Sequence, residues 1–214
     1  LLEHMLFRGT PRHPDIPAEE NAHGAEANGT TSYDRTNYFQ TFPSSSENLA
    51  WALDLEADRM VNSFVRASEL ESEMTVVRNE LEMNENDPAS VLSYRALSSA
   101  YLWHAYGRAP IGAPSDLEGV DIEKLRRFYR TFYQPDNAVL MIAGNFDPDE
   151  ALRLVSSTFG KIPRPTRKLE RIETPEPPQD GERSVNLRRV GTVQGLSLLY
   201  HTPSGAHPDF PALE

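Results

Sequence analysis

The sequence predicts an α+β fold. Segments with helical apolar spacing, several behind good N-caps, alternate irregularly with short runs rich in β-branched and aromatic residues, which argues against a regular βαβ sheet. The longest clearly apolar run, Ala138 to Ala143, fits a buried strand and falls far short of the roughly 20 residues of a membrane span.

Each element has its own local signal. Leu1 to Phe7 reads as a helix entered midway. Arg8 to Pro17 carries three prolines and reads as a loop. Ala18 to Ala25 fits a short helix stopping at Gly24. Thr30 to Phe42 is rich in Thr, Tyr and Phe, so it is expected to be extended, bent near Asp34 and ended by Pro43. Ser44-Ser45-Ser46-Glu47 fits a capping box, and Leu49, Leu53, Ala57, Met60 and Val61 carry helical spacing to about Phe64. A second long helix is expected from about Ser68 to Met83. Asp87-Pro88 then opens another, running to about Trp103, with a cap followed by proline at the first helical position. Asp121 caps a helix to about Phe132, Asn137 to Ala143 is the buried strand, and Asp147-Pro148 opens a helix ending near Gly160. Residues 163–182 are proline-rich and read as a linker. Arg183 to Val190 and Gly195 to Tyr200 read as strands. The chain opens on Leu1 in the middle of an amphipathic pattern, so both ends read as cut.

With 214 residues the chain is long enough to bury a core. It has no cysteine, which excludes disulfides, a thiol nucleophile and cysteine-type zinc fingers. Its net charge of −11 is concentrated in residues 1–90, which hold 17 acidic and 6 basic side chains, while the remainder holds 15 of each. Phosphate binding calls for the opposite sign, so a nucleic-acid partner is not expected. An acidic half attracts cationic peptides or metal ions, although most of these acids read as solvated helix faces.

Two places carry candidate chemistry. Glu3 and His4 stand side by side on an apolar helix flank; such a pair alone is more often a surface pair or a hydrogen-bonded histidine. Glu73 and Glu80 are seven residues apart, hence about 20° apart around a helix axis and ~10 Å along it. Val76, Val77 and Leu81 flank them. A carboxylate beside a core-facing stripe needs a partner, such as a metal ion or a histidine, because burying it alone is costly. Glu71, Glu73, Glu82 and Glu85 also fit a solvated acidic face. His13, His23, His104, His201 and His207 have no carboxylate at metal-ligand spacing on a common face, and surface or structural roles are expected for them.

Taken together, these residues resemble the pitrilysin/insulinase zinc metallopeptidases, whose inverted motif H-x-x-E-H is followed about 75 residues later by a glutamate ligand, with a further glutamate seven residues before it. Glu3-His4-Met5-Leu6-Phe7-Arg8-Gly9-Thr10 is similar to the motif helix and its exit. His4 and Glu80 are 76 residues apart, and Glu73 lies seven before Glu80. Val76 to Met83 with Asp87-Pro88, the stretch Asn28 to Tyr38, Gly107-Arg108 with Ile111-Gly112, Tyr133 to Ala138 and Ala143 to Asp147 follow the family's later landmarks in order. The first histidine of the motif would precede Leu1.

The resemblance implies a mixed or mainly antiparallel sheet packed with helices, the fold of the mitochondrial processing peptidase. It implies a Zn²⁺ cofactor held by His4 and Glu80 with the upstream histidine, Glu3 as general base, and Glu73 beside the ligands, orienting one or buffering charge. It implies an edge strand at Asn28, Gly29, Thr30, Thr31 and Ser32 that takes an extended peptide substrate. Residues 1–162 would form the N-terminal catalytic domain, 163–182 a linker and 183–214 the start of the following half, with a second homologous half or subunit as partner. Export to the periplasm also follows from the resemblance. The expected function is a zinc-dependent endopeptidase; the alternative is a non-catalytic partner subunit of the same family. A third reading, an unrelated α+β binding domain, would leave the ordered landmarks to coincidence.

Overall fold

The computed structural model describes residues 1–170, 173–192 and 194–213, and divides into two units. One comprises residues 1–77 and 114–171, the other residues 78–113 and 172–214.

The first unit begins with a single helical turn, α1 (Leu2–Met5). Its exit is set by Gly9, whose φ of +105° suits glycine and where a Cβ would lie 2.6 Å from the Pro14 carbonyl oxygen. Helix α2 (Ile16–Ala22) starts two residues before the expected Ala18, because Asp15 accepts the Ala18 N–H and Pro17 occupies the first turn. The expected bent strand is a hairpin. β1 (Glu26–Thr31) and β2 (Thr36–Thr41) pair antiparallel with Gly29 opposite Tyr38, and the bend near Asp34 is their connection. The part of β1 before Thr30 is polar and small, which hid it from strand propensity.

Helix α3 (Ser46–Asn62) is capped by Ser45, which accepts the Asn48 N–H at 3.1 Å; the expected box, with Ser44 as cap and Glu47 reaching back, is one residue out of register. Helix α4 (Ala67–Asn86) is longer than expected at both ends and belongs to the first unit up to Val77. The unit continues with α6 (Pro114–Glu118), α7 (Ile122–Phe132), capped by Asp121, and α8 (Pro148–Ser157), capped by Asp147. Before them in the chain, in the second unit, comes α5 (Pro88–Ala100), whose cap Asp87 accepts the Ser90 N–H at 2.8 Å.

Two apolar clusters hold the first unit. Met5, Leu6, Val65 and Tyr129 pack with Leu2, Tyr38, Ile122, Leu125 and Tyr133, tying α1 to α7 and the hairpin. Leu49, Leu53 and Ala151 pack with Ile142, Phe146, Leu154, Val155 and Phe159, tying α3 to α8. The unit also holds a buried ionic group. Arg59, 1% exposed, sits 3.7 Å from Glu20 and 3.3 Å from Glu56, with its guanidinium over the Phe7 and Tyr38 rings. Burial raises the Glu20 and Glu56 pKa values against the pull of Arg59.

Three expected strands are not formed. Residues 138–143 pair with no strand; Ile142 packs inward, but Val139 and Met141 are 90% and 84% exposed. Residues 183–190 and 195–200 likewise lie outside any strand. β-propensity alone makes no strand, because the backbone must also find a neighbouring ladder. Among the described residues the hairpin β1–β2 is the sheet. Residues 163–170 and 173–182 contain no helix or strand.

Candidate metal and peptide site

The site is built where α1, β1 and α4 come together in the first unit. Glu3 and His4 lie on α1, which Met5 and Leu6 anchor in the core. Glu3 accepts a hydrogen bond from the Thr31 hydroxyl at the end of β1. A Cβ at Gly29 would lie 3.0 Å from Glu3 Oε1, so the glycine lets this carboxylate rest against the strand. Asn28, Gly29, Thr30 and Thr31 belong to β1, which among the described residues is paired only on its β2 side. Ser32 lies in the turn, where its N–H donates to the Arg35 carbonyl at 2.7 Å.

Glu73 is 3% exposed on α4, and both its oxygens are engaged. Oε2 stands 3.2 Å from His4 Nδ1, and Oε1 accepts from the Arg8 guanidinium. A carboxylate accepts, so the His4 proton facing Glu73 is assigned to Nδ1. An open cleft of about 360 Å³ is lined by Glu3, His4, Arg8, Glu20, Asn28 and Glu73, among others. Glu20 Oε1 is buried without a hydrogen-bond partner.

Glu80 is exposed on the part of α4 that belongs to the second unit. Among the described residues, no three His, Cys, Asp or Glu side chains are grouped to hold a metal ion. The donor chemistry nevertheless fits one side of a metal centre: an imidazole with Nδ1 anchored by a carboxylate, beside a second carboxylate on the same turn.

Sequence reasoning did not single out Arg8 and Glu20. Arg8 is four residues after His4, a spacing that signals a shared helix side, but three nearby prolines read more strongly as a loop. His13, expected to be structural or exposed, is buried, with Nδ1 2.6 Å from Glu19 and Nε2 3.1 Å from Asp54. Those carboxylates come from α2 and α3, so no local spacing announced them. His23 stacks on Trp51 at 4.1 Å.

Comparison with known proteins places the chain in a class of peptidases. The insulinase family (peptidase family M16) matches residues 1–113, and the peptidase M16 inactive domain matches residues 119–214. The chain belongs to the insulinase family. It is 30% identical to the zinc protease PqqE of Helicobacter pylori over the whole of this chain and 49% of that protein. It is 33% identical to an uncharacterized zinc protease of Mycobacterium bovis, over 86% of this chain and 41% of that one. Among solved structures, a protease from Helicobacter pylori superposes with a TM-score of 0.78 at 28% identity, covering 84% of this chain and 44% of that chain. The first half of the periplasmic protease PqqL from Escherichia coli gives 0.71 at 25% identity, covering 80% and 38%. These neighbours bear out the α+β peptidase fold expected from the sequence. The chain spans about half the length of the curated relatives it matches, or less.

Proposed function

We propose that the full-length protein is a zinc-dependent endopeptidase acting on extended peptides or unstructured polypeptides. The observation that carries the reading is the His4–Glu73 contact in the same cleft as Glu3. His4 Nε2 and the Glu80 carboxylate are read as ligands, with a histidine preceding Leu1 as the third. Zinc, when bound, supplies Lewis acidity and brings a bound water towards a neutral pKa.

The chain's own groups do the rest. Glu73 fixes the ring orientation and tautomer of His4. Glu3, one residue away and steadied by Thr31, takes the proton of the attacking water and passes it to the leaving amine. The free side of β1, from Asn28 to Thr31, offers backbone groups to a substrate that adds as a strand; Ser32 lies beyond this edge. Residues 1–162 are read as the catalytic domain, 163–182 as the connector and 183–214 as the start of the next half. A second homologous half completes the substrate chamber.

The match of residues 119–214 to the inactive domain favours a second reading, a non-catalytic partner subunit. Purified full-length protein separates the two. The peptidase reading requires stoichiometric zinc and cleavage of an unstructured peptide, blocked by a chelator. Glu3→Gln should keep zinc and lose turnover, since an amide cannot take the proton, whereas Glu80→Gln should lose zinc. A zinc-free protein that cleaves nothing would establish the partner reading instead.

A further inference from the structure

Two glutamates seven residues apart on α4 are assigned different work, and the first unit holds a physical reason for the difference. Glu73 is buried, so each of its oxygens needs a donor. His4 Nδ1 serves Oε2 and Arg8 serves Oε1. Among the described residues lining the cleft, Arg8 is the only guanidinium or ammonium, and the cleft also presents the carboxylates of Glu3 and Glu20. A buried glutamate with a spare oxygen beside an open cleft would itself compete for a cation. One with both oxygens engaged serves as an acceptor instead.

We propose that Arg8 is a positioning residue that fixes Glu73 as the anchor of His4 and keeps it from becoming a metal ligand. This rests on the metallopeptidase reading above. Arg8 touches neither metal nor substrate in this account; it acts through Glu73 on the ring of His4. Its guanidinium suits the task because it gives a planar, permanently charged donor to a carboxylate, and part of its side chain stays in solvent, so docking it does not require burying a whole cation. The turn between α1 and Gly9 carries it back over α4, with the Arg8 N–H donating to the Met5 carbonyl at 3.2 Å.

The test uses full-length protein stripped of metal and titrated with zinc against a chromogenic chelator. Arg8→Gln should weaken zinc affinity on the order of 10- to 100-fold, the range typical when a group supporting a ligand is lost. Arg8→Lys should recover most of that loss. Glu73→Gln should weaken binding similarly, and the double variant should bind no more weakly than Glu73→Gln alone, because Arg8 acts only through that carboxylate. A general loss of structure would instead add to the Glu73→Gln effect and lower the melting temperature. With zinc in excess, Arg8→Gln should regain kcat with KM unchanged. Wild-type zinc affinity in Arg8→Gln, or additive losses in the double variant, would overturn the inference while leaving the peptidase reading intact. Absence of zinc from the wild-type protein would overturn the peptidase reading, and the inference with it.

Discussion

Among the described residues, thirteen of the fourteen buried apolar side chains lie in the unit formed by residues 1–77 and 114–171; the other unit buries Val91. The contrast extends to polar groups. The first unit buries Arg59, Asp58, Glu73 and His13 among partners, whereas in the second Arg183 reaches the Ser99 carbonyl from a half-open surface and Glu176 accepts the backbone N–H groups of exposed Leu102 and Trp103 and half-buried His104. Val190, Leu196, Leu198 and Tyr200 stand exposed on backbone outside any strand. Glu3, His4 and Glu73 thus stand in the part of the chain that supplies its own core, whereas Glu80 lies in the other unit.

The comparison can be broken by substitution. The largest effect is expected at Arg59. Arg59→Ala leaves Glu20 and Glu56 without their cation and should cost about 3–5 kcal/mol in urea unfolding, while Arg59→Met, which fills the space, should still leave the two acids unpaired. Leu55→Ala, at a fully buried position, should cost about 2–5 kcal/mol. Leu198→Ala in the other unit should stay within about 0.5 kcal/mol. Equal losses at Leu55 and Leu198 would erase the distinction between the units.

Acid should act on the first unit through Asp58. Burial alone would raise its pKa, but hydrogen bonds from Thr10, Asn62 and Arg12 outweigh it and hold the carboxyl below its ordinary value. A folded pKa below the unfolded one gives stability that is complete above about pH 4 and lost as pH falls through the folded value. Asp58→Asn should lower stability at neutral pH and flatten that acid limb; an unchanged limb would remove Asp58 from the account.

The smallest effect is local. The Glu176 carboxylate accepts the N–H groups of Leu102, Trp103 and His104 at 2.8–2.9 Å, and with these bonds its pKa is lowered even though its desolvation acts the other way. Glu176→Gln should speed hydrogen exchange at those three amides and leave the Ser63 amide, bonded to the buried Tyr129 hydroxyl, unchanged. Acceleration at Ser63 would show that the perturbation is not local.

Helix starts were legible because their determinants sit within four residues: Asp87-Pro88, Asp121 and Asp147-Pro148 open α5, α7 and α8 as expected. The Glu3-His4 pair and Glu73 stood out through spacing and resemblance. Arg8 and the His13 clamp did not, because their partners lie 65 residues away for Arg8 and 6 and 41 residues away for His13. Strands were the weakest reading. The 138–143 run has strand-like residues, but a ladder partner is a property of other segments, which no local pattern reports.

The central claim is that His4, held at Nδ1 by Glu73, is a zinc ligand in a peptidase site with Glu3. Anomalous diffraction at the zinc edge from crystals of the full-length protein tests it most directly. The account predicts one peak bonded to His4 Nε2 at about 2.0–2.1 Å, with Glu80 as a carboxylate ligand and Glu73 still on Nδ1 and Arg8. A peak away from His4, or one ligated by Glu73 in place of Glu80, would contradict it.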